Sequence, residues 1–336
     1  MKLKRISNTI FLVSLATAQE TLTGANSGNC YTQRLNFQQN RVYQASNPSD
    51  IWPDPQQYDF ILKAGSKADF NSDGTTTLHL NPGSGSNIAL TRFVKFGKIS
   101  AKFTPSQSNG AVTGFITISA AAGTAMDGSG ITAPINDEID WEILGKDTTK
   151  PEVNLFTYKS TLMERGMHGG PISGSVPAGG SHVYTIDWRA DGISWAIDGQ
   201  IMKTLSASSS VSVEGGLPPG IPWFPTMPSR PEISLWDGSS LQSWAGGPVD
   251  FTKPVTAVFE YIDVQCYDSN NTPVPKWPAD APDPAPNTTS PNFGNPDATS
   301  VTYNQPARSS SEMLLGVSSL FTFITGYAIF MLFANQ

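Results

Sequence analysis

Residues 136 to 145 read NDEIDWEILG, and polar and apolar side chains alternate along them. Glu138, Asp140 and Glu142 stand at every second position, with Ile139, Trp141 and Ile143 between them. Successive side chains of a β-strand point to opposite faces, so an extended chain puts three carboxylates on one side and an apolar row on the other. A helix would scatter both sets around its circumference. The stretch therefore belongs in a sheet with one covered face. Its other face carries like charges side by side, which repel. In a chain with only 28 acidic residues among 336, that concentration asks for a chemical reason.

The rest of the chain obeys the same period. TTTLHL (75–80), FGKISAKF (96–103), AVTGFITIS (111–119), HVYTIDW (182–188), GISWAIDG (192–199) and AVFEYIDVQ (257–265) are rich in β-branched and aromatic residues and partly alternate. Asp191-Gly192 and Asp198-Gly199 mark hairpin turns around ISWAI. Helix signals are almost absent. Short strands divided by Gly and Pro turns predict an all-β fold, a sandwich of two antiparallel sheets or a jelly roll. The small-residue run AAAGTAMDGSGITAPIN (120–136) forms a loop just before the acidic strand.

Both ends of the chain differ from this body. Lys2, Lys4 and Arg5 precede an apolar run from Ile10 to Leu15, and Ala16-Thr17-Ala18 offers small residues for cleavage. Residues 1–18 therefore read as a secretory signal peptide. Residues 312–336 hold a second apolar run, about long enough to cross a ~30 Å hydrocarbon core, with small residues such as Ser309, Ser310 and Ser311 upstream. This pattern reads as a glycosylphosphatidylinositol attachment signal, with a tail-spanning helix as the other reading. Residues 269–311 are dominated by Pro, Asn, Ser, Thr and Ala and cannot bury enough apolar surface to offset their ordering entropy, so they read as a stalk. Asn270 and Asn287 fit the N-glycosylation pattern there. Residues 19–268 remain as one domain of a size usual for a β-sandwich.

The formal net charge is −7, and the basic signal segment makes the remaining body more acidic still. No basic face for nucleic acid is evident. Cys30 and Cys266 lie at the two ends of the folded body and are expected to pair in an oxidising compartment. Closing so long a loop is worth on the order of 4–5 kcal/mol in the chain-entropy model.

Three readings of the acidic strand stand side by side. In one, Glu138 and Glu142 are the two carboxylates of a retaining glycosidase, and Asp140 between them holds one by a shared proton and helps set which Glu is ionised. That chemistry needs carboxyl groups ~5–5.5 Å apart. Residues four apart on a flat strand have Cα atoms ~13 Å apart, so the strand must bend and the side chains lean together. In the second reading the acids bind a hard cation such as calcium, although a straight strand makes a poor cage. In the third they face solvent. The segment IPWFPTMPSRPEISLWDGSSLQSWAGG carries Trp223, Phe224, Trp236 and Trp244 among Gly, Pro and Ser, which suits a cleft where flat rings stack on sugars. Trp188 and Trp195, on alternating strands, read as core. Those aromatics favour the first reading. His79, His168 and His182 show no zinc spacing, and no nucleophile elbow is present.

DEIDWE resembles the catalytic signature of glycoside hydrolase family 16, in its shorter form. RFVKFGKISAKF, GAVTGFITIS, VNLF, ERGMH, HVYTIDWRADGISWAIDG and SWAGG extend the likeness over most of residues 75–268. Together they resemble the Crh family of fungal cell-wall transglycosylases, which join chitin to β-glucan. That resemblance implies a β-jelly roll with a concave substrate groove and a retaining mechanism. It implies Glu138 as nucleophile, Asp140 as assisting acid and Glu142 as general acid/base. It places Asn154, Arg165, Trp236 and Trp244 along the groove as substrate-binding residues. No cofactor or metal is expected. The expected partners are chitin and β-glucan, with attachment to the membrane through a lipid anchor, at the cell surface, as a monomer. A hydrolytic endo-β-1,3(4)-glucanase and a non-catalytic wall lectin remain the alternatives. Loop 120–136 is longer than the family pattern and leaves the acceptor open.

Overall fold

The computed structural model describes residues 30–48, 53–119, 124–126, 132–134, 136–158, 165–167, 169–209, 212–213 and 223–280. The signal segment 1–18, the tail 312–336, the chain after residue 280 with Asn287, and His168 lie outside the described residues. Among the described residues no helix is long and apolar enough to cross a membrane.

The strands in chain order begin with β1 (Cys30–Tyr31), β2 (Gln33–Leu35), β3 (Val42–Gln44), β4 (Phe60–Leu62), β5 (Lys67–Phe70), β6 (Thr76–Leu80) and β7 (Ser86–Leu90). There follow β8 (Gly97–Thr104), β9 (Ala111–Ser119), β10 (Thr124–Met126), β11 (Thr132–Pro134), β12 (Asp137–Leu144), β13 (Glu152–Tyr158), β14 (Arg165–Met167) and β15 (Gly170–Pro171). The last are β16 (His182–Trp188), β17 (Gly192–Ile197), β18 (Gln200–Ser206), β19 (Ser212–Val213), β20 (Ser229–Asp237), β21 (Val255–Tyr267), β22 (Pro273–Val274) and β23 (Lys276–Trp277). One sheet runs β19-β14-β13-β12-β9-β20-β7-β4-β3, with β15 on β13; the other runs β18-β17-β16-β8-β21-β6-β5, with β2 and β22 on β21. All pairings within them are antiparallel except β3 with β4. This is the expected jelly-roll sandwich.

The core lies between the sheets. From β12 it takes Ile139, Trp141 and Ile143, and from the opposite sheet Tyr184, Ile186, Ile193 and Trp195, all essentially without exposure. A buried indole N–H needs an acceptor, because an unmade hydrogen bond leaves its desolvation penalty uncompensated. Trp141 Nε1 donates to the Thr185 carbonyl at 3.0 Å. Trp195 Nε1 donates in the other direction, to the Asp140 carbonyl at 3.1 Å. The two sheets are thus fastened to each other at the acidic strand. Trp188 and Trp195 are core, as read from the sequence.

Strand β21 shows how an irregular pattern still fits. Ala257 and Phe259 point inward, but so do Ile262, Val264 and Cys266, which sit at the opposite parity. The ladder with β8 shifts between Phe259 and Tyr261. One extra residue in a bulge flips the phase and keeps both sets in the core.

Cys30 and Cys266 are disulfide-bonded across 236 residues of sequence. Beside that bond the fold runs past the boundary drawn at residue 268. Asp268 Oδ1 accepts from the backbone N–H groups of Asn270 and Thr272, both at 2.8 Å, and Asn271 takes φ 62°. The chain turns there, and β22 pairs back on β21 while β23 pairs with β1. Residues 269–277 therefore belong to the domain and not to a stalk. Their composition is poor in apolar residues because backbone ladders, with the half-buried Trp277, hold them. Asn270 sits exposed in that turn.

Candidate active site

Every residue of β12 is buried. Its apolar row faces the core, so its acidic row lies on the outer face of the sheet. Strand register turns that face into rows of neighbours. Asp140 lies opposite Asn154 on β13 and Ile116 on β9, and Ile116 lies opposite Glu232 on β20. Glu142 lies opposite Glu152 and Gly114, and Gly114 lies opposite Ser234. Glu138 shares its row with Phe156, Ile118 and Arg230. Gly114 makes room for Ser234 in the row of Glu142, since a Cβ there would lie 2.5 Å from Ser234 Oγ.

The three carboxylates are 9%, 2% and 7% exposed in chain order, so water screens them poorly. Burial, the charges of Glu138 and Glu142, and a hydrogen bond with Glu138 raise the Asp140 carboxyl well above the usual carboxylate range. Its Oδ1 has no hydrogen-bond partner. Burial first, then the charges of Glu138 and Glu152, push Glu142 up to about 8, against a hydrogen bond from Asn154 Nδ2 that favours its charged form. Glu142 is thereby held toward its protonated form at neutral pH, and the same burial and neighbouring acids drive Asp140 in that direction. Among the described residues no group of three or more His, Cys, Asp or Glu is placed to hold a metal ion.

The residues singled out from the sequence do not all converge. Asn154 reaches Glu142 directly. Trp236 and Trp244 stack with ring centroids 5.8 Å apart. Both pack on the small cluster of Val112, Leu144 and Ala245, one row beyond Glu142. Trp244 rides on the four-residue helix Gln242–Ala245. Trp223 and Phe224 belong instead to the main core, against the cleft expectation from their Gly- and Pro-rich context. Arg165 lies on β14 opposite Tyr158, two positions from Met167, which shares the Glu138 row through Phe156.

Sequence reasoning missed a buried ion cluster two strands away. Glu232 accepts from Lys63 Nζ at 2.7 Å, Asn87 Nδ2 at 3.1 Å and Arg230 Nε at 3.0 Å. Its burial opposes ionisation, but the charges of Lys63 and Arg230, with hydrogen bonds from Lys63 and Asn87, hold it down at about 2. The available signal was the alternation Arg230-Glu232-Ser234-Trp236 against Ile233 and Leu235. An unfolded glutamate titrates near ~4.3. Glu232 thus contributes stability that is fully present above ~4.3 and is lost as pH falls through about 2. Glu232→Gln is expected to destabilise by roughly 3–5 kcal/mol at pH 7, because it leaves two cations facing a neutral amide. Urea unfolding should also show a flatter acid limb in the variant. Equal stability of variant and wild type at pH 7 would remove this role.

The sequence model of the glycosyl hydrolases family 16 matches residues 55–253. This chain belongs to glycosyl hydrolase family 16. The match begins at residue 55, twenty residues before the start of the likeness read over residues 75–268. Among family 16 relatives, Crh-like protein 2 of Aspergillus fumigatus is 32% identical over 212 residues, covering 58% of this chain and 43% of that protein. Congo red hypersensitive protein 2 of Saccharomyces cerevisiae is 28% identical over 221 residues, covering 62% and 43%. The match spans less than half the length of these fungal relatives. The solved structure of apo Crh5 transglycosylase shares the fold, with a TM-score of 0.51, 24% identity and coverage of 73% of this chain and 88% of that one.

Proposed function

We propose that the chain is a retaining cell-wall glycosidase and transglycosylase. Glu138 attacks the anomeric carbon of a β-linked wall glycan. Glu142 gives its proton to the departing glycosidic oxygen, which leaves with the bond electrons. A glycosyl ester on Glu138 results. Glu142, now a carboxylate, takes the proton of an acceptor hydroxyl as that oxygen attacks the ester carbon and releases Glu138. Asp140 hydrogen-bonds Glu138 and follows its change of charge. Asn154 orients the Glu142 carboxyl, and the Trp236–Trp244 pair offers an aromatic platform for sugar rings. The single observation that carries this reading is the row of three buried carboxylates on the outer face of β12, with Asn154 hydrogen-bonded to Glu142; burial and the neighbouring acids favour the protonated form of Glu142.

The substrates we propose are chitin and β-glucan, which the sequence resemblance to the Crh family implies; a β-glucanase of Bacillus subtilis among the relatives supports a glucan. The site of action is the outer cell surface. A secretory start and a lipid-anchor signal at the apolar ends support that location. Transfer instead of hydrolysis requires an acceptor held in line well enough to outcompete water.

The test uses the secreted protein with a chitin oligosaccharide donor and fluorescent β-glucan or chitin acceptors, with Glu138→Gln alongside. Fluorescence should move into longer chains with the wild type only. Shortened donor with unextended acceptor would make it a glucanase or chitinase, and binding without turnover would make it a lectin.

A further inference from the structure

A fourth carboxylate stands against the acid/base residue. Glu152 is the β13 residue directly opposite Glu142. Directly paired residues of an antiparallel ladder have Cβ atoms ~4.5–5.5 Å apart. Two acidic side chains at that distance, both turned to the outer face, repel if both are charged. The position is not an exposed accident. Glu152 Oε2 accepts a hydrogen bond from Trp244 Nε1 at 3.0 Å, and Trp244 stacks on Trp236. The aromatic platform therefore fixes Glu152, and Glu152 faces the acid.

The charged surroundings of Glu142 are uneven. On its own strand stand Glu138 and Asp140. From β9 come only Gly114 and Ile116, and from β15 Pro171 and Gly170 pair with Glu152 and Val153. From β20 the nearest charges are Glu232 and Arg230, with Lys63 bound to Glu232. Those two cations are engaged by that carboxylate, two strands from β12. Beyond β12, the Gln242–Ala245 helix contributes the neutral Trp244, while Lys146 Nζ donates to the Ser243 carbonyl. Glu152 is thus the one carboxylate placed in direct cross-strand register with Glu142.

We propose that Glu152 is a positioning residue that keeps Glu142 protonated for catalysis and links that protonation to the Trp236–Trp244 platform. This rests on the reading of Glu142 as acid/base. The electrostatics agree in sign, since the charge of Glu152 is among the causes that raise Glu142. A sugar ring seated on Trp244 would press on the residue that hydrogen-bonds Glu152, so occupancy of that platform and strength of the acid are coupled.

Glu152→Gln separates the two roles. The amide oxygen still accepts from Trp244, but the charge is gone. The basic limb of the pH profile of kcat/KM should move down by about half a unit to one unit, with KM at pH 6 changed less than about two-fold. Glu152→Ala should move the limb equally and also raise KM, because Trp244 loses its acceptor. A titration of Glu142 by carboxyl-carbon NMR, assigned with Glu142→Gln, should show the same downward shift without any substrate. An unmoved limb and an unmoved Glu142 midpoint in Glu152→Gln would overturn the proposal while leaving the enzyme reading intact. A shifted NMR midpoint in a protein inactive on every glycan would support the electrostatic link and overturn the enzyme reading.

Discussion

Glu142→Gln is expected to lower turnover of unactivated polysaccharide by roughly 10²–10⁴-fold, the usual contribution of a positioned general acid. The amide keeps nearly the same shape. It cannot give a proton to a glycosidic oxygen whose leaving group is a sugar alkoxide. A donor with a good leaving group, such as an aryl glycoside, does not need that proton. The first step on such a donor should therefore survive in the variant, while the second step, which needs the base, should stall. A burst of aryl alcohol followed by a slow phase is the expected trace, and added azide should relieve the slow phase by attacking without base assistance. Equal losses on both donors would assign Glu142 a role other than proton transfer. The wild-type basic limb should lie near 8, where burial and the charges of Glu138 and Glu152 place Glu142.

Trp141→Ala is expected to cost about 3–5 kcal/mol, the range for removing a fully buried large aromatic side chain. Trp141 is 0% exposed, and its ring meets Tyr184 edge-on at 5.6 Å. The substitution also leaves the Thr185 carbonyl without its indole donor. Because Trp141 lies between Asp140 and Glu142 on the same strand, the cavity should let β12 shift. A displacement on the order of 1 Å can cost ~10² in rate. Trp141→Phe fills most of the volume and should cost less, with the lost hydrogen bond worth about 1 kcal/mol. Chemical denaturation measures both. A loss under about 1 kcal/mol for the alanine variant would mean that the two sheets do not depend on this contact.

The legible parts of this protein are those whose physics is local. The period of two in β12 and β16 shows which face is buried, so both the core row and the acidic row could be read directly. The expected strands 111–119 and 182–188 coincide with β9 and β16. The illegible parts depend on partners far along the chain. Strand β20 is hard to see in the sequence, since Pro231 stands inside it and proline removes a ladder donor. In the structure Pro231 faces Thr117 on β9, while β7 pairs only with residues 232–235, so the missing donor falls where β7 does not reach. The Lys63–Glu232 contact joins residues 169 apart, and no periodicity carries that information. Residues 269–277 were read as stalk because backbone pairing leaves little trace in composition. At the site, the triplet was visible as chemistry at strand spacing, and Asn154 only through the family resemblance. Glu152 was not, since a lone glutamate on an outer face is ordinary until register puts it opposite Glu142.

The measurement that bears most directly on the account is capture of the covalent intermediate. A donor with an activated leaving group and a 2-fluoro substituent forms the glycosyl ester but slows its breakdown. Incubated with the secreted protein, digested and analysed by tandem mass spectrometry, it should add one glycosyl unit to the peptide carrying DEIDWE, with the ester on Glu138. No adduct should form on Glu138→Gln. An ester on Glu142, or turnover of the unmodified donor with inversion and no adduct at all, would contradict the assignment of the strand.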